Sequence, residues 1–208
     1  MDEALEVRRF WFGRLPLKPE GVKERLALWF GSGAEERRAD ELIRSRFGAL
    51  VERAAAGELD AWADSPRRRL SLILLLDQFT RHVYRGTERA FAKDREALAL
   101  TLSGMQSAAD AALTPVERLF FYMPLQHAEL RDAQEESVAA YRRLLKEAPE
   151  ELEAMFASAL ESAELHRSIV ERFGRFPHRN RVLGRANTPE EEAYLRQGGP
   201  NFGQDDSK

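Results

Sequence analysis

The chain of 208 residues contains no cysteine, which excludes disulfides, thiolate metal sites and a cysteine nucleophile. Long apolar runs are missing too. The longest, residues 72–76, is far below the roughly 20 residues that cross a bilayer, so no membrane partner is expected. Valine and isoleucine are sparse and never alternate with polar residues, which removes the usual signal for strands. Nor is there a surplus of one charge. With 32 basic and 35 acidic residues the formal net charge is -3, and nucleic-acid binding normally brings a basic excess. No glycine-rich phosphate loop, dinucleotide fingerprint, Gly-x-Ser-x-Gly elbow or zinc-protease helix occurs, so no cofactor is expected. The first residues carry acids where a signal peptide carries lysine or arginine, and a cytoplasmic location is the expectation. No Pro/Gly/Ser-rich linker divides the chain. We expect a single helical domain over 1–197 and a flexible, glycine-rich tail over 198–208.

At 43% hydrophobic residues the chain can bury one sizeable core. Helix starts are its plainest feature. Thr114-Pro115-Val116-Glu117 and Thr188-Pro189-Glu190-Glu191 each align a capping hydroxyl, a first-turn proline and a capping-box glutamate, and Ser65-Pro66 begins the same pattern. Apolar stripes at helical spacing follow: Ile43, Phe47, Leu50, Val51 and Ala54, then Leu152, Phe156, Ala163 and Val170. Leu70 to Phe79 is apolar nearly all round and reads as a central buried helix. Helices are expected near 3–12, 20–29, 36–56, 66–82, 88–103, 115–122, 127–146, 150–173 and 188–196, with Pro124 breaking or kinking the chain between the sixth and seventh.

Three segments carry chemistry. In the first, Asp77 shares a face with Leu70, Ile73 and Leu74, and Arg81 and Arg85 follow it. An inward carboxylate must be paired, so Asp77 either neutralises these arginines or orients a base. The second runs from Arg172 to Arg185. Gly174 and Pro177 end the preceding helix, Phe173 and Phe176 anchor the loop, and Arg172, Arg175, Arg179, Asn180 and Arg185 surround His178. Planar guanidinium groups suit carboxylate and phosphate, and equally suit acids on neighbouring helices such as Asp40, Asp77, Glu117 and Glu129. The third, Glu117 to Glu129, sets His127 near a carboxylate amid aromatic residues. The four histidines, His82, His127, His166 and His178, form no i, i+4 pair, and no metal is expected. His166 lies on an apolar stripe and should face inward.

On Trp29-Phe30, Trp62, LLLDQFTRHVYRGTERAFAKD (74–94), ERLFFYMPLQHAE (117–129) and RFGRFPHRNRVLGR (172–185), the chain resembles the bacterial family named domain of unknown function 924. That resemblance spans nearly the whole length. It implies a multi-helical, tetratricopeptide-repeat-like antiparallel packing without sequence repeats, and no assigned activity. Members of the family commonly carry Pro-Arg-Asn where this chain has Thr80-Arg81-His82, and Glu-His-Ser where it has Gln126-His127-Ala128.

The function expected first is a binding module taking an anionic small molecule or an acidic peptide through the arginine-rich loop. An enzyme on an anionic substrate is the second reading. It would use His178 or His127 as base, Asp77 or Glu129 to orient that base, and Arg175, Arg179 and Arg185 as a clamp. A structural interaction protein is the third. Convergence of these residues on one accessible pocket would favour a ligand site.

Overall fold

Capping side chains set where these helices begin, and apolar stripes set how they pack. The structure, a computed structural model, describes residues 2–14, 19–200 and 202. Among these residues it is all-helical, without a strand. The N-terminal half holds α1 (Glu3–Phe12), the short α2 (Pro19–Lys23) and α3 (Leu26–Phe30), and the long α4 (Ala34–Ala55). A continuous central helix follows: α5 (Pro66–Ile73), a π-helical segment (Leu74–Phe79) and α6 (Thr80–Val83). The C-terminal half holds α7 (Asp94–Gln106), α8 (Pro115–His127), α9 (Arg131–Lys146), α10 (Glu153–Phe173) and α11 (Pro189–Arg196). Short 3₁₀ turns, among them Glu88–Ala90 and Pro177–Arg179, link these helices.

Residues Leu70 to Phe79 are buried on every side, as an all-round apolar helix must be. Phe79 meets Trp11, and Trp11, Phe12 and Trp29 each meet Phe120, with tilted or edge-to-face rings. The Ser71 hydroxyl donates to the Ala4 carbonyl at 2.7 Å, tying α1 to α5. Successive helices α8, α9 and α10, joined by short turns, stack as antiparallel hairpins of the tetratricopeptide-like kind. Both Thr-Pro-x-Glu motifs form complete capping boxes, at Thr114 and Thr188, whereas the Ser65 side chain makes no capping bond.

Two expectations are corrected. Helix α8 does not break at Pro124 but runs on to His127, and the chain turns at Ala128–Leu130 instead. Proline cannot serve the Phe120 carbonyl, yet hydroxyls reach the carbonyls on either side: Tyr141 donates to Leu119 and Thr101 to Phe121, each at 2.9 Å. Residues 88–93 are a 3₁₀ turn followed by further turn, and α7 begins only at Asp94. Of the expected tail, residues 201 and 203–208 lie outside the described residues, while the Phe202 ring packs against the rings of His166 and His178.

Candidate functional site

The π-helical segment makes the first contribution to the site. It carries Asp77, whose side chain is wholly buried and hydrogen-bonded to the ring of His127 (Nδ1 to Oδ1, 2.8 Å). The Gln78 amide donates to the other Asp77 oxygen at 2.6 Å, and the Arg81 guanidinium lies 3.4 Å from Oδ1. Burial alone pushes the Asp77 carboxyl up. The pairing with His127, then the Arg81 charge and the Gln78 hydrogen bond, more than reverse this, and Asp77 stays ionised far below the usual carboxylate range. An ionised carboxylate only accepts, so His127 carries its hydrogen on Nδ1 and keeps a lone pair on Nε2. Burial lowers the His127 pKa and Asp77 only partly restores it, so the ring is neutral at pH 7.

His127 ends α8, where the Gln134 amide donates to the Gln126 and Ala128 carbonyls at 2.7 Å each and fixes the turn. Its ring opens on a cavity of about 330 Å³ that all four histidines of the chain line. A second carboxylate–imidazole pair stands there: His82 Nδ1 lies 2.8 Å from Asp40, which also receives Arg85 at 2.7 and 2.9 Å. The central helix therefore supplies the carboxylate of one pair and the imidazole of the other. His166, inward as expected, donates from Nδ1 to the Ser162 carbonyl at 2.7 Å. His178 has ring neighbours instead, Phe176 and Phe202. Burial brings both rings down to about 3, Ser162 opposing this for His166 and Arg179 adding to it for His178.

Cationic groups meet on Asp94. Arg81 grips it with two hydrogen bonds of 3.0 and 3.1 Å, and Arg179 adds a third of 3.1 Å. The Arg179 guanidinium is sandwiched between Phe91 and Phe176, each ring centre 4.6 Å away, and its buried Nε has no partner. Burial, helped by the Arg81 charge and opposed by Asp94, brings Arg179 down to about 10. Leu28, Trp29, Phe30, Phe91, Met123 and Phe202 add an apolar part to the wall, and Glu36, Gln78, Gln126 and Ser162 add polar groups.

Of the residues singled out from sequence, Arg81, Arg85, His127, His178 and Arg179 line this cavity, and Asp77 stands directly behind His127. The others point elsewhere. Arg175 makes a two-pronged pair with Glu191, Arg172 pairs with Glu190 on the surface, and Asn180 donates to Asn187 and Glu191. Arg185 grips Glu129 with 2.6 and 2.9 Å bonds and also reaches Asn180 and the Phe176 carbonyl. Glu129 also accepts the Phe176 N–H, so it clamps the loop and orients no histidine. Asp94 escaped notice in the sequence, where it falls inside the helix expected over 88–103 and not at a helix start. His82 and Gln126, where the chain departs from the family pattern, both line the cavity. Among the described residues no group of three His, Asp or Glu side chains is placed to hold a metal ion, and no helix is long and apolar enough to cross a membrane.

Fold and site together define a class: an all-helical protein with a histidine- and arginine-lined cavity between its two halves. The chain belongs to a bacterial family of unknown function, DUF924, which matches residues 7–199. It is similar to a solved structure, that of the protein of unknown function ATU0120 from Agrobacterium tumefaciens. The two share 36% identity over 94% of this chain and 98% of that one, with a TM-score of 0.77. Among curated proteins no relative matches.

Proposed function

We propose that the cavity binds a small organic anion, a carboxylate or phosphate with an apolar or aromatic body. One observation carries this reading: Arg81 and Arg179, both lining the cavity, converge on one shared carboxylate, Asp94. Guanidinium groups held in place by carboxylates behind them are preorganised donors for an oxyanion. Aromatic and aliphatic side chains around the rim suit the ligand's body, and the cavity volume of about 330 Å³ is within the range of small-molecule sites. The enzyme reading builds on the same site. An acidic peptide fits a cavity of this volume less well than a small molecule does.

A thermal-shift screen of aryl and alkyl carboxylates and phosphate monoesters tests the proposal, because a ligand that binds only the folded state raises Tm by linkage. We expect stabilisation by a subset of these anions. Arg179→Met should weaken binding at least about tenfold, the effect of losing one charged hydrogen bond. Arg172→Ala, on the outer surface, should leave it unchanged. Stabilisation by none of the anions, or equal loss in both variants, would sink the reading.

A further inference from the structure

Binding does not by itself call for the arrangement around His127. A guanidinium-lined pocket needs donors, and His127 offers the opposite, an Nε2 lone pair with no partner among the described residues. Its Nδ1 is committed to Asp77, so the ring is held in one tautomer and one orientation. The carboxylate responsible sits on the π-helical segment, a geometry rare in proteins and concentrated at functional sites.

On the reading that the cavity holds an oxyanion, we propose that it is also catalytic: His127, with Asp77 as its positioning residue, is a general base. It takes the proton of a hydroxyl or water bound beside the anion. The O–H bond breaks with its electron pair left on oxygen, and the proton goes to Nε2 while Nδ1–H stays on Asp77. The other histidines suit this role less. The His82 carboxylate is gripped twice by Arg85, His166 is backed only by a carbonyl, and His178 has no polar partner among the described residues.

Charged and titratable groups face His127 from several elements: Asp77 from the π segment, Arg81 from α6, Asp94 from α7, His166 from α10, and Arg179 and His178 from the 3₁₀ turn. Burial and the Arg81 charge keep the ring neutral against the pull of Asp77. An anion placed against Arg81 and Arg179 offsets their charge and makes the ring more basic, so the substrate strengthens its own base.

Four histidines give four ring signals, assignable by single His→Gln variants, and imidazole 15N shifts report tautomer and protonation. We expect His127 as the Nδ1–H tautomer without ligand. Sodium sulfate or sodium benzoate should raise its titration midpoint by about one pH unit. Asp77→Asn should abolish the tautomer preference and lower the His127 midpoint, because the carboxylate that favours the charged ring is gone. An Nε2–H tautomer overturns the proposal. So does a His127 midpoint indifferent to anions that stabilise the protein and move its neighbours' signals, an outcome that leaves the binding reading intact. If neither anion stabilises the protein or moves any histidine signal, both readings fall. Should Asp77→Asn not fold, the wild-type titration decides alone.

Discussion

Glu129 and Asp94 show how a single carboxylate decides what an arginine does. Arg185, spent on Glu129, Asn180 and the Phe176 carbonyl, belongs to the scaffold, whereas Arg179, on Asp94, belongs to the cavity. Arg185→Ala should therefore cost about 1.5–3 kcal/mol, since it leaves Glu129 partly buried with one partner fewer, and Arg172→Ala should stay within about 0.5 kcal/mol. Urea unfolding midpoints measure both, and equal effects would contradict this division. The division was only half legible in the sequence. Five arginines between positions 172 and 185 announce a cationic cluster, but the acids that take Arg172, Arg175, Arg179 and Arg185 lie 16 to 85 residues away. Glu191 was readable only as a capping-box residue, although the same carboxylate also receives Arg175, which holds it down at about 2. Asp77 and His127 stood out singly, but their pairing across 50 positions depends on the packing of α8 against the central helix.

At the scale of elements, local rules predicted best where nothing distant intervened. Both Thr-Pro-x-Glu starts and the left-handed Gly174 stop were plain from local chemistry. Pro124 misled because the hydroxyls of Thr101 and Tyr141 come from other helices. The π segment was invisible, since an all-round apolar pattern fits either helical pitch. Two glycines make the same distinction measurable. Gly48 in α4 has nothing within 4 Å of where a Cβ would stand, so Gly48→Ala should stabilise by about 0.5–1 kcal/mol. In α7 a Cβ on Gly104 would come within 2.5 Å of the Phe121 ring, so Gly104→Ala should lose about 1–3 kcal/mol despite the same gain in helix propensity. Opposite shifts in Tm would confirm that α7 packs on α8 as described.

For the molecule as a whole, the histidine-lined cavity makes stability depend on pH. His166 and His178 titrate near 6.5 when unfolded but only at about 3 when folded, because burial disfavours their charge. Between those values the unfolded chain binds more protons, so stability rises with pH. Their contribution is complete above about pH 6.5 and is lost as pH falls toward 3, at up to about 1.4 kcal/mol per unit for each ring. Below the ordinary carboxylate range the lowered groups Asp40, Glu129 and Glu191 add to the loss. Guanidinium unfolding at pH 7.5 and pH 5 should show this decline, and His178→Gln should reduce it. A flat profile would mean that solvent reaches both rings freely.

The position of Phe202 bears on how the protein is handled at the bench. Its ring lies 4.0 Å from His166 and 5.1 Å from His178, at the edge of the cavity. A histidine tag would add imidazoles of its own to a sample whose cavity is lined by histidines. Binding and titration measurements therefore belong on protein with any tag removed.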